Sequence, residues 1–230
     1  MNIIFPLISR EKQGKKAENS LPKMLVEYKG KPLFSWALQG LKPFFQKPYK
    51  LIFICLKRDL QHHSLLQQIK QHCPYPCTVF TLDSWPSSQT QTVLMAQQYI
   101  DNQQPLLIYY GDTFFDTGYR SWSPLQNSAG GIIWSIASIK SDSSYIKAKS
   151  DGTVVKVLKK TTSPYASIGL YFFRTGASFV QLVKKTSHNK IKVTGENDIE
   201  DLYNELIKQG ITVKMETVKT CFPVVMKNNI

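Results

Sequence analysis

The chain has 230 residues, 42% of them hydrophobic and 12% aromatic, which excludes an intrinsically disordered protein and leaves length enough for one substantial core. Its 29 basic residues outweigh 16 acidic ones, and the formal charge of +13 asks for anionic partners: a nucleotide, a phosphorylated small molecule, nucleic acid or an acidic surface. No apolar run approaches the roughly 20 residues that span a bilayer, and the apolar start lacks the basic flank and cleavage site of a signal peptide, so a soluble, cytoplasmic protein is expected.

In chain order, Ile3 to Leu7 reads as a first buried strand, followed by a lysine-rich polar loop that ends at Leu21-Pro22-Lys23. Helical spacing is expected over Leu33 to Leu41, Leu60 to Gln71 and Thr90 to Ile100. Strands are expected over Leu51 to Leu56, Thr78 to Leu82 and Leu106 to Tyr110. These strands are apolar throughout rather than alternating, which implies burial on both faces and a mostly parallel sheet flanked by helices. Ligands of such sheets bind beyond the carboxyl ends of the strands.

The second half changes character. Gly131 to Ile136, Tyr145 to Ala148, Thr153 to Leu158 and Ser167 to Phe173 read as strands, with a hairpin turn at Ser150-Asp151-Gly152. Ala177 to Lys185 and Ile199 to Lys208 read as helices, the second opened by Glu200 and Asp201 and stopped at Gly210. A last strand is expected over Ile211 to Val218. No repeat or linker interrupts the pattern, so residues 1–230 are expected to form a single Rossmann-like α/β domain with a small β excursion in its second half.

Candidate chemistry is sparse. Asp112 follows a buried strand, where a carboxylate either holds a divalent metal that bridges phosphates or caps a turn. Lys23, fixed by Pro22, is placed either to neutralise a phosphate or to lie in solvent. Arg10, Lys12, Lys15 and Lys16 make the first loop basic, but it lacks the interleaved aromatics on which single-stranded nucleic acid stacks. Cys73 and Cys77 stand in His72-Cys73-Pro74-Tyr75-Pro76-Cys77, with no second Cys/His pair to complete a zinc site, and the sparse cysteines suit a reducing compartment. There is no P-loop lysine motif and no Gly-x-Ser-x-Gly elbow.

Taken together, Leu21-Pro22-Lys23, Gly30-Lys31-Pro32-Leu33, Leu106-Leu107-Ile108, Gly111-Asp112, Ile168-Gly169-Leu170-Tyr171-Phe172-Phe173, Gly195-Glu196 and Tyr203-Asn204-Glu205-Leu206 stand in an order that resembles the bacterial sugar-phosphate nucleotidylyltransferase family. Its short members transfer a nucleoside monophosphate from an NTP to a sugar phosphate and release pyrophosphate. The resemblance implies Lys23 and Asp112 as catalytic residues and Asp112 as a Mg²⁺ ligand. It implies nucleotide or phosphate contacts at Ser9, Arg10, Lys12, Ser88 and Lys160, and acceptor contacts at Glu196 and Tyr145. An NTP and a phosphorylated small molecule become the expected partners, and nucleic acid is disfavoured.

The departures from the family pattern cluster in its phosphate machinery. Ser9, Glu11 and Gln13 stand in the first loop where glycines and an arginine belong, Ser88 replaces a glycine near the base, and Lys159-Lys160 replaces a Glu-Lys pair. The closing Gly-Thr-Pro segment is missing from 220–226. A relative that binds a sugar phosphate, nucleotide or protein partner without turnover is therefore the alternative reading.

Overall fold

The continuously apolar runs become the centre of the sheet. The computed structural model describes residues 1–8, 22–46, 48–62, 64–110, 113–122, 129–137, 144–159, 163–188 and 198–223. In chain order they form β1 (Asn2–Pro6), β2 (Glu27–Tyr28), β3 (Lys31–Pro32), α1 (Leu33–Gly40), β4 (Lys50–Leu56), α2 (Lys57–His62), α3 (Leu65–His72) and β5 (Cys77–Leu82). Next come α4 (Gln89–Met95), α5 (Gln97–Ile100), β6 (Leu106–Tyr109), β7 (Thr113–Asp116), β8 (Gly131–Ala137), β9 (Tyr145–Ala148), β10 (Val154–Leu158) and β11 (Tyr165–Phe173). The chain continues through α6 (Gly176–His188), α7 (Ile199–Lys208), β12 (Val213–Thr217) and β13 (Thr220–Pro223).

Nine strands share one mixed sheet whose main path is β10-β9-β11-β6-β1-β4-β5, with β8 pairing β11 and β12. β6, β1, β4 and β5 are parallel, and β11 runs antiparallel to β6. The mostly parallel α/β architecture read from the sequence is thus the one observed. Side chains along β1 alternate between two cores: Ile3 and Phe5 join an aromatic cluster with α1 and α3, and Ile4 joins an aliphatic cluster with α6 and α7. Both faces of β1 are covered, and every residue of β1 is buried.

Several boundaries differ from expectation for identifiable reasons. The helix expected over 60–71 is two helices, α2 and α3, separated where Ser64 takes a left-handed backbone (φ +50°). The helix expected over 90–100 breaks at Ala96 into α4 and α5, although Val93, Ala96 and Ile100 stay buried in one cluster. Two small pairs, β2–β3 and β7–β13, had no periodic signal because they are only two to four residues long. The excursion in the second half is the β9–β10 hairpin, closed by Asp151 and by Gly152 at φ +77°.

Candidate active site

Strand order locates the crevice. From β1 the chain moves outward through β4 to β5, then returns to the other side of β1 as β6, so the order reverses between β1 and β6. In open α/β sheets the carboxyl ends of strands at such a reversal splay their connections apart and leave room for a ligand. The segments leaving this edge are Leu7-Ile8 after β1, Asp83-Ser84 after β5 and Tyr110 after β6.

Three expected site residues fall within the described part of the chain. Lys23 opens a single 3-10 turn whose Met24 and Leu25 are buried in the same apolar cluster as Leu7 and Tyr109, from the ends of β1 and β6. Two buried neighbours thereby hold an exposed ammonium on a fixed backbone. Ser88 is the N-cap of α4: its Oγ accepts from the Gln91 N–H at 3.0 Å and lies 2.9 Å from Thr90 Oγ1. The hydroxyl that replaces the family's glycine is therefore engaged in starting the helix. Tyr145 begins β9 and is buried, with Ala166 and Leu158 as its strand partners. Ser9, Arg10, Lys12, Asp112, Lys160 and Glu196 lie outside the described residues.

A polar cluster that sequence reading passed over occupies the β11 side of this edge. The register between β11 and β8 shifts between Ser167 and Tyr171, and Gly169 sits there at φ +78°, a conformation open to a residue without Cβ. The Tyr110 N–H donates to the Gly169 carbonyl at 2.8 Å, tying β6's exit to the bulge, while the Tyr110 hydroxyl donates to the Gln89 carbonyl at 3.3 Å. The exits of β5 and β6 are thus joined through one tyrosine.

Behind the bulge, the Tyr171 hydroxyl donates to Glu200 Oε1, and Ser167 Oγ donates to the Tyr171 hydroxyl at 3.4 Å. Burial raises the Glu200 carboxyl above its ordinary 4.5, with the Tyr171 hydrogen bond opposing. Burial likewise holds the Tyr171 phenol well above 10, reinforced by the Glu200 charge. Glu200 belongs to the first turn of α7, where helical N–H groups favour a carboxylate.

Lys159, at the exit of β10, reaches the same helix start. Its Nζ lies 2.9 Å from Asp198 Oδ2 and 2.8 Å from Asp201 Oδ2. Asp198 and Asp201 also form the capping box of α7. Burial disfavours the Lys159 ammonium, but the hydrogen bonds to Asp201 and Asp198 outweigh it and raise its pKa. The lysine that stands where the family has glutamate is thus a strut between β10 and α7. Acidity at the helix start was visible in the sequence; its pairing with Lys159 and Tyr171, 42 and 29 residues from Asp201 and Glu200 in the chain, was not.

Among the described residues no group of three His, Cys, Asp or Glu side chains could hold a metal ion. No helix among them is long and apolar enough to cross a membrane. The arrangement offers an exposed lysine, a hydroxyl-lined edge and a buried acid, which suits binding of phosphates and hydroxyls more than nucleophilic or thiol chemistry.

No protein-family model and no curated protein matches the sequence at a significant level. Solved structures do match its fold. The nucleoside-diphosphate-sugar pyrophosphorylase from Vibrio cholerae RC9 superposes with a TM-score of 0.75 at 20% identity, covering 94% of this chain and 91% of that one. A UDP-glucose pyrophosphorylase complexed with UDP-glucose gives 0.71 at 14% identity over 97% and 92%. The inositol-1-phosphate CTP transferase from T. maritima gives 0.67 at 13% identity over 94% and 84%. At these identities the likeness is one of fold: the chain has the architecture of nucleotide-sugar pyrophosphorylases and related nucleotidyltransferases.

Proposed function

We propose that the protein is a nucleotidylyltransferase that moves a nucleoside monophosphate from an NTP to a sugar phosphate or related phosphomonoester, releasing pyrophosphate, in surface-polysaccharide metabolism. The observation that supports this reading is the reversal of strand order between β1 and β6 in a fold shared with pyrophosphorylases, beside which Lys23, on a turn anchored by buried Met24 and Leu25, would stand. Lys23 would neutralise charge on the phosphates as the acceptor oxygen attacks the α-phosphorus and pyrophosphate departs. Arg10, Lys12 and Lys160 would add counter-charge, Ser9 and Ser88 would border the nucleotide, and Tyr145 and Glu196 would orient the acceptor. The carboxylate of Asp112 suits a hard cation such as Mg²⁺, which when bound would supply further neutralisation of the triphosphate.

A second reading, binding without turnover, is favoured by the first loop, where Ser9, Glu11 and Gln13 replace residues that shape a backbone cradle for triphosphate. One experiment separates the two. Incubation with the four NTPs, Mg²⁺ and a panel of phosphomonoesters should release pyrophosphate, and Lys23→Ala should lower the rate on the order of a hundredfold. Absence of release, with thermal stabilisation by sugar phosphates but not by NTP–Mg²⁺, would establish the binding-only relative instead.

A further inference from the structure

Beside the reversal of strand order, the exits of β4 and β5 build an exposed stack of flat side chains. Lys57 and Arg58 open α2 directly after β4, and Trp85 lies in the connection from β5 to α4, so both segments leave the carboxyl edge of the sheet. The Arg58 Cζ atom lies 4.7 Å from the centroid of the Trp85 ring, in cation–π contact. Arg58 Nε is also 3.5 Å from Asp59 Oδ1, and the Asp59 carboxylate is buried, so the guanidinium is held from a second side. Lys57 Nζ reaches Asp83 Oδ1 at 3.4 Å and ties the two exits together. Pro86 restricts the Trp85 backbone to extended conformations, and Ser88 then caps α4. With all these supports in place, Trp85 is still 41% exposed. A large ring held open beside a ligand crevice is a surface for another ring.

We propose that Arg58 and Trp85 form the platform on which the nucleobase of the donor NTP stacks. This rests on the transferase reading above and adds to it the residues that hold the base. Strand spacing sets the reach. β1, β4 and β5 are consecutive in the sheet, so the exit of β5 is about 10 Å from that of β1. A base at Trp85 leaves its ribose over the end of β4 and its phosphates at the reversal, toward Lys23. The chemistry of the pair suits a base better than a phosphate. Asp59 offsets the Arg58 charge, which leaves the flat faces of indole and guanidinium as the main attraction, and both are surfaces on which bases stack. Stacking grows with ring overlap, and a purine covers more of an indole than a pyrimidine does. ATP and GTP should therefore bind more tightly than CTP and UTP.

The test separates base from phosphate. Calorimetry on the full chain with Mg²⁺ compares the four NTPs with inorganic tripolyphosphate, which carries phosphates alone. Trp85→Ala should weaken ATP binding about fivefold to a hundredfold, the range of one lost base stack, and leave tripolyphosphate affinity unchanged. Trp85→Phe should keep most of the ATP affinity, because a ring remains. Arg58→Lys keeps the charge and loses the plane, and it should weaken ATP by a smaller factor with tripolyphosphate again unchanged. Thermal melts without ligand should coincide for all the chains, since the replaced indole is exposed. ATP binding as tight in Trp85→Ala as in the unmutated chain, equal losses for ATP and tripolyphosphate, or tighter binding of CTP and UTP than of ATP and GTP would overturn the platform and leave the transferase reading standing. No binding of any NTP by the unmutated chain would overturn both.

Discussion

The two faces of the sheet are packed by different means. On one face, Phe44 meets Trp134 and Trp122 at 5.5 and 5.2 Å, and Trp122 meets Phe172 at 5.2 Å, so an interlocking set of rings fills the space under α1. The other face is mainly aliphatic, with Ile4, Ile52, Ile108 and Ile133 under α6 and α7, yet it contains the buried carboxyl of Glu200 bonded to Tyr171. Ring packing fills most of the first face, with the Tyr109 hydroxyl donating to the Thr113 carbonyl at 2.6 Å at its edge. The second adds the buried Glu200 carboxyl, whose raised pKa makes that face's stability fall as pH rises past the carboxyl's ordinary 4.5. A buried acid is an expensive way to join β11 to α7, and a hydrophobic pair of the same size would serve stability at least as well. Glu200 stands directly behind the bulge at Gly169, where it ties β11 to the start of α7.

Four experiments probe this contrast. The largest effect is expected on the aromatic face: Trp134→Ala removes a fully buried indole and should cost about 3–5 kcal/mol in urea unfolding, equally at pH 5 and pH 8. A cost that changed with pH would show that the two faces are not independent. On the other face, Tyr171→Phe removes the donor to a buried carboxyl and should cost about 1–3 kcal/mol, more at neutral than at acid pH, because the charged acid is the form left without its partner.

Glu200→Gln addresses the same pair from the acid side. The folded carboxyl titrates above its ordinary 4.5, so the folded state binds more protons than the unfolded one as pH rises past 4.5. The unmutated protein should therefore lose stability across that interval, and the loss is complete once pH exceeds the raised folded value. The glutamine variant should lack this part of the slope in thermal melts recorded from pH 4 upward. Parallel pH profiles for the two proteins would mean that Glu200 is not the titrating group.

The smallest effect belongs to the partly exposed strut. Lys159→Met breaks the pairs to Asp198 and Asp201 and leaves two carboxylates at a helix start that tolerates them, so about 0.5–1 kcal/mol should be lost, and less at high salt. A salt-independent loss would point to packing of the lysine stem instead.

Residue order alone was enough for much of this architecture. The apolar runs at 3–7, 51–56 and 106–110 could not face water on either side, so a doubly covered parallel sheet followed from them without knowledge of any contact. The Asp151-Gly152 turn and the acidic start of α7 were legible for the same local reason: each depends on residues within one turn of each other. The edge strand β5 was legible as a strand but not as an edge, since its exposure depends on there being no further strand beside it among the described residues.

What needed the tertiary structure is long-range and polar. That Lys159 pairs with Asp198 and Asp201, and that Glu200 is buried against Tyr171, both depend on residues brought together by strand order across the sheet. Hydrophobic patterning is written locally because burial of a whole strand is a property of its own side chains. Hydrogen-bonded and ionic pairing is a property of two segments at once, and only the folded arrangement of β10, β11 and α7 sets it.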